Sequence, residues 1–154
     1  MNLQCRQIHA TEICKIERAV TGKTYKAGSC YIKLSAVDDY VGQLQKPGAI
    51  DPRYAVLEPK EEINADYMYI AICRSFPEFL RKYRTTINLQ FNTLKHYEIY
   101  WHDDKNVQEY IVNALKTVQK EIDLTESQIE HEKEVKRWYL KKNDDVGEEG
   151  NAFN

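Results

Sequence analysis

The sequence predicts an α+β chain: a small β-rich domain with short helices, followed by a long C-terminal α-helix that protrudes from it. Three observations predict this. Through the first 60 residues short apolar–polar alternations are separated by Gly- and Pro-containing turns. Over residues 64–83 the spacing changes to helical period. From Asp103 to Lys142 no Gly or Pro interrupts the chain. About 39 residues at a rise of ~1.5 Å make a rod of ~58 Å, whereas a domain built from the rest has a radius of gyration of only about 13 Å. Such a helix reaches past its own domain, and an apolar seam on it requires a partner.

The elements follow in order. A short helix is expected from Thr11 to Ile16, with Thr11 as its cap. Cys30-Tyr31-Ile32-Lys33-Leu34 alternates as a half-buried strand does, and Tyr40-Val41-Gly42-Gln43-Leu44 and Tyr54-Ala55-Val56-Leu57 are further strands. Ala27-Gly28-Ser29, Lys46-Pro47-Gly48 and Asp51-Pro52 supply the turns between them. A helix starts at Asn64 or Ala65 and runs to about Arg74. Ser75-Phe76-Pro77-Glu78 has the form of a capping box, which predicts a second helix through Phe79, Leu80 and Tyr83. A polar segment spans residues 84–92, and Tyr97-Glu98-Ile99-Tyr100-Trp101 returns to strand character. The expected division is a domain over 1–102, a long helix over 103–142 and a flexible acidic tail over 143–154.

The acidic pair Asp103-Asp104 suits the start of the long helix. Its apolar positions are Val107, Ile111, Leu115, Val118, Ile122 and Ile129, with Thr125 inside the last step. From Leu115 to Ile129 this is a heptad seam. Val107 and Ile111 lie near enough to the domain to pack on it, which leaves Leu115, Val118, Ile122 and Ile129 for a partner helix. Beyond Ile129 the seam turns polar at Glu132 and Lys136 and resumes off-register at Val135, Trp138 and Tyr139. A short antiparallel or heteromeric coiled coil fits that break better than a long uniform one.

Composition bounds the function. With 42% hydrophobic and 30% charged residues the chain can bury a core and is not a disordered polymer. No apolar run approaches the ~20 residues that span a bilayer. Met1-Asn2-Leu3-Gln4-Cys5-Arg6 lacks the apolar stretch of a signal peptide, so a cytoplasmic protein is expected. Cys5, Cys14, Cys30 and Cys73 form no Cys-x-x-Cys pair and read as free thiols. Cys5, His9 and Cys14 lack a fourth ligand for zinc, and Asp38-Asp39 reads as a turn rather than a metal site. Residues 1–102 carry 14 Lys and Arg against 11 Asp and Glu, and residues 103–154 carry 8 against 13. A mildly basic domain is compatible with nucleic acid. There is no Gly-rich phosphate loop and no nucleophile elbow. His9, His96, His102 and His131 are scattered. The chain reads as a non-catalytic protein.

Several stretches together carry a family resemblance. They are Tyr25-Lys26-Ala27-Gly28-Ser29-Cys30-Tyr31-Ile32-Lys33-Leu34-Ser35-Ala36, Arg53-Tyr54-Ala55-Val56-Leu57-Glu58-Pro59-Lys60, Asp66-Tyr67-Met68-Tyr69-Ile70, Phe79-Leu80-Arg81-Lys82-Tyr83, Gln108-Glu109-Tyr110-Ile111-Val112 and Lys136-Arg137-Trp138-Tyr139-Leu140. Thr86-Ile87-Asn88-Leu89-Gln90 stands where the family has a short polar Gly-x-Asn-x-Gln stretch. In order and spacing over roughly residues 3–142 the chain resembles one half of the specificity subunit of a type I restriction-modification enzyme. Such a half is one target recognition domain followed by one spacer helix. It departs from the family's pattern in two places. Trp101-His102-Asp103 replaces a Pro-rich step before the spacer helix, and Thr85-Thr86 stands where a Gly is frequent.

The resemblance implies a subunit that binds double-stranded DNA and reads one half of a split sequence. It also implies two partners, a methyltransferase (modification) subunit and a restriction subunit. The chain itself would hold no cofactor, since S-adenosylmethionine and ATP bind those partner subunits. A half-subunit would pair arm to arm, as a homodimer or with another half-subunit. Phosphate contacts call for Lys and Arg, and base edges for bidentate polar groups. The expected DNA-binding residues are therefore Lys23, Lys26, Lys33, Arg81, Lys82 and Arg84 for the backbone, and Ser35, Asn88, Gln90 and Asn92 for bases, with Thr86 in the same polar stretch. The alternative is a protein-interaction adaptor, or a decoy that binds modification-enzyme subunits without reading DNA.

Overall fold

The structure, a computed structural model, describes the backbone of residues 1–151 and the side chains of residues 1–146. The fold is α+β. The chain divides into two compact units, Met1–Val112 and the remainder from Asn113.

In the first unit, β1 (Cys5–His9) pairs antiparallel with β6 (Glu98–His102). A four-stranded antiparallel sheet is formed by β2 (Cys14–Arg18), β5 (Tyr54–Pro59), β3 (Cys30–Lys33) and β4 (Val41–Gln43), in the order β2-β5-β3-β4. The helix α1 (Ala65–Tyr83) packs against β6 and β4. Asn64 starts it by accepting the Tyr67 N–H at 3.0 Å.

The alternation along β5 explains its depth. Ala55 and Leu57 face the main core with Met68, Ile72, Phe76 and Tyr97. Val56 faces the other way, into a smaller cluster with Ala19, Tyr25 and Ile50. A central strand covered on both faces reads as a continuous apolar run. Gly28 sits in the left-handed region at φ +87°, and a Cβ there would lie 2.7 Å from the Cβ of Ala65 at the start of α1.

Two expectations are corrected and one strand is added. No α-helix covers Thr11 to Ile16: a single 3₁₀ turn spans Ala10–Glu12, and Ile16 lies in β2. The side chain of Glu12 turns back to the His9 N–H, so the polar signal at this turn closes only one short turn. The strand β1 was not anticipated, because only Ile8 of its five residues is buried. Residues 65–83 form one helix rather than two. Ser75 is not a cap; its hydroxyl donates to the Ala71 carbonyl inside the helix. Pro77 costs one backbone bond, but Met68, Ile72, Phe76, Phe79 and Leu80 keep an unbroken buried stripe across it.

The helix α2 runs Lys105–Asn151. Asp104 caps it, its carboxylate accepting the Asn106 N–H at 2.9 Å and the Asn2 N–H at 2.8 Å. Val107 is 1% exposed and Ile111 packs on the core, as their place in the first turns predicts. The helix continues past the expected end at Lys142: once a helix runs, each residue adds one backbone bond, and polar residues do not stop it. Of the expected acidic tail, residues 152–154 lie outside the described residues. Among the described residues no helix is long and apolar enough to cross a membrane. Burial pushes the Cys14 thiol up to about 12.

Candidate nucleic-acid interface

Three segments far apart in sequence meet at one end of the four-stranded sheet. They are the loop after β3, the turn before β5 and the polar segment after α1. Backbone bonds knit them together: Leu34 N–H to Arg53 O at 3.0 Å, Leu89 N–H to Leu34 O at 2.9 Å, and Val37 N–H to Ile87 O at 2.8 Å. The side-chain carbonyl of Asn88 accepts the Ala36 N–H at 3.3 Å. Between them lies a groove of about 530 Å³. Buried Leu34 and Leu89 form part of its lining, and Ser35, Asn88, Gln90 and Asn92 contribute exposed polar groups. All four residues expected to face bases thus line one surface.

Two arginines join them. Arg18, at the end of β2, has its guanidinium 5.8 Å from the centre of the Phe91 ring. Arg53 is gripped by Asp51, with Nε and Nη2 at 2.9 and 3.1 Å from the two carboxylate oxygens. The guanidinium, and then the Arg53 N–H, hold the Asp51 carboxyl below its ordinary range. Neither arginine was singled out from the sequence. Arg18 reaches the groove only because β2 pairs with β5, a long-range contact that the misread helix concealed. Arg53 follows the Asp51-Pro52 turn signal, which could have marked it.

The cations expected to meet phosphates are more dispersed. Arg81 and Arg84 line a separate depression with Asp38 and Asp39. Lys33 lies 3.6 Å from Asp38. Lys82 stands over the Tyr83 ring, and Lys26 is exposed in the turn before Ser29. Lys23 is bound to Glu17, whose carboxyl that lysine holds below its usual range. None of the six lines the groove.

Comparison with known proteins gives the fold. No family model matches the chain and no curated protein matches it. Solved structures do. The type I restriction-modification system S subunit from M. genitalium superposes with a TM-score of 0.66 at 14% identity, over 77% of this chain and 40% of that one. A chain from a structure on complex assembly and conformational transition of the type I R-M system gives 0.68 at 17% identity, over 89% and 44%. The HsdS subunit from Thermoanaerobacter tengcongensis gives 0.56 at 15%, over 79% and 39%. The fold is that of half a type I specificity subunit. The chain spans about two fifths of the length of these subunits.

Within this half-subunit fold the departure at Thr86 acquires a physical meaning. Thr86 has φ +48°, the left-handed region that favours glycine, at the position where the family's stretch has Gly. Such strain costs about 1–3 kcal/mol in a β-branched residue, and the greater chain entropy of glycine offsets roughly 0.5–1 kcal/mol of any relief. Thr86→Gly is expected to stabilise the chain by about 1 kcal/mol, read as a higher urea midpoint at unchanged slope. A lower midpoint would contradict the strain. Ala36, across the groove wall, is also left-handed at φ +47°.

The second unit of the half-subunit fold is helix alone. Every side chain from Asn113 to Val146 is exposed. Leu115, Val118, Ile122 and Ile129 are 45–49% exposed. Trp138 and Tyr139 add an exposed edge-to-face aromatic pair further along, with their rings 5.0 Å apart.

Proposed function

We propose that the chain is a sequence-specific DNA-recognition subunit of a type I restriction-modification system, a half-subunit that pairs through α2. In this role it supplies the address and carries no chemistry. A methyltransferase subunit and a restriction subunit assemble on it and are directed to its site. The observation that carries the reading is the convergence of Ser35, Asn88, Gln90 and Asn92, from loops some fifty residues apart, on one groove flanked by Arg18 and Arg53. Asn and Gln amides can pair bidentately with adenine, and Arg and Lys neutralise phosphates. Lys26, Lys33, Arg81, Lys82, Arg84 and Thr86 extend the proposed contact surface beyond the groove. The fold of half a specificity subunit supports the same role.

The test is duplex binding by the purified chain as salt is raised. A reader making about six phosphate contacts loses affinity roughly 10³-fold between 50 and 200 mM salt. Affinity that stays level over that range would remove DNA reading and leave the adaptor or decoy reading. In the native host, a methyltransferase subunit should co-purify with the chain.

A further inference from the structure

We propose that Arg53 is the guanine-reading residue of the groove and that Asp51 is its positioning residue. The inference rests on the DNA-reading function proposed above and goes beyond it in assigning a base to a residue. A guanidinium is a rigid fork of five donors that can present a parallel pair of N–H groups along either of two edges. Asp51 occupies the side-on edge, Nε and Nη2, at 2.9 and 3.1 Å. That leaves the end-on edge, Nη1 with the second N–H of Nη2, whose parallel N–H pair matches guanine O6 and N7.

The support beneath the side chain is also fixed. The Asp51 carboxylate accepts the Arg53 N–H at 2.9 Å, and the Asp51 carbonyl accepts the Tyr54 N–H at 3.0 Å. The Arg53 carbonyl is held by Leu34, at the groove wall. The side chain is 73% exposed, so this preset fork stands in solvent at the groove.

Charge separates base reading from phosphate contact. A carboxylate beside the guanidinium opposes an approaching phosphate, whereas guanine presents neutral acceptors that need directed N–H groups more than net charge. The expected phosphate contacts Arg81, Lys82 and Arg84 carry no such bidentate carboxylate clamp among the described residues.

The experiment is selection of bound duplexes from a random-sequence library by the full chain, followed by sequencing. The wild-type chain should enrich a motif with a strong guanine position. Arg53→Ala should lower preference at that position roughly tenfold or more while the other positions persist. Asp51→Asn, which keeps the turn acceptor but loses the charge, should weaken the same position only. Far-UV circular dichroism confirms that both variants are folded. If Arg53→Ala lowers recovery of all sequences alike and the guanine position survives, Arg53 is a phosphate contact and the inference is overturned. If Asp51→Asn matches the wild type, the positioning role is overturned. If the wild-type chain enriches no motif, the DNA-reading function itself fails and this assignment with it.

Discussion

Under the proposed pairing through α2, Val118→Asp combined with Ile122→Asp is expected to convert the helix-paired assembly into a monomer whose first compact unit still melts where the wild type does. The magnitudes say why two substitutions suffice. Each of Leu115, Val118, Ile122 and Ile129 is already about half covered by its own helix. Full burial of such a side chain contributes about 1.5–3 kcal/mol. Covering the remaining half at four positions on each of two helices therefore contributes only about 6–12 kcal/mol. Association costs an estimated 4–15 kcal/mol, so the seam alone makes a weak pair. Two buried, unpaired carboxylates each oppose pairing by several kcal/mol and decide the balance. Both positions lie beyond Val112, outside the first compact unit, so its core is untouched. Light scattering reads the outcome. An unchanged oligomer would mean that the partner surface lies elsewhere, with the exposed Trp138 and Tyr139 the first place to look.

The long helix was legible because a solvent-facing helix keeps its period in the sequence undisturbed. The same holds for β3, β4 and β5, where turn residues bracket short alternating runs. β1 was not legible: Cys-Arg-Gln-Ile-His has one buried side chain, and it exists because β6 lies alongside it, with Ile8 opposite Ile99. Partner strands ninety residues apart leave no local trace. The false break at Ser75 has a different cause. A serine hydroxyl can satisfy itself on the preceding turn as well as cap the next helix, and the string Ser-x-x-Glu does not say which. The unbroken stripe from Met68 to Leu80 was the better signal.

The proposed interface divides along the same line. Asn88, Gln90 and Asn92 stood out because they crowd into one polar stretch. Arg18 and Arg53 did not, because their place follows from strand pairing. Asn88 also shows how a single residue serves two ends. Its carbonyl oxygen is engaged by Ala36 through one lone pair, which leaves the second lone pair and the NH₂ to face an outside partner. Its backbone closes the turn with Thr85, at 2.8 and 2.9 Å. The proposed reader is therefore also a scaffold residue, and replacing its side chain would release the loop at Ala36.

Phe79→Ala is expected to produce a large loss of stability in the first compact unit and, under the DNA-reading function proposed above, to weaken DNA binding without touching DNA. Phe79 is 6% exposed and meets three aromatic rings: Tyr97 at 4.6 Å, Tyr83 at 4.7 Å and Phe76 at 6.4 Å between centroids. Tyr83 stacks in turn on His96, at 6.0 Å. These rings grip both ends of the segment between α1 and β6, which carries Asn88, Gln90 and Asn92. Removing a buried Phe ring costs about 3–5 kcal/mol through lost transfer energy and the cavity left behind. Against a total stability of about 5–15 kcal/mol this is a large share, and for a domain of this size it lowers the melting temperature by roughly 10–30 °C. Phe79→Leu retains most of the volume and should cost clearly less. Calorimetry of the two variants checks the order. If Phe79→Ala melts within about 3 °C of the wild type, the ring cluster is not what holds this wall of the groove, and the backbone bonds from Leu34 and Val37 to the polar segment must hold it instead.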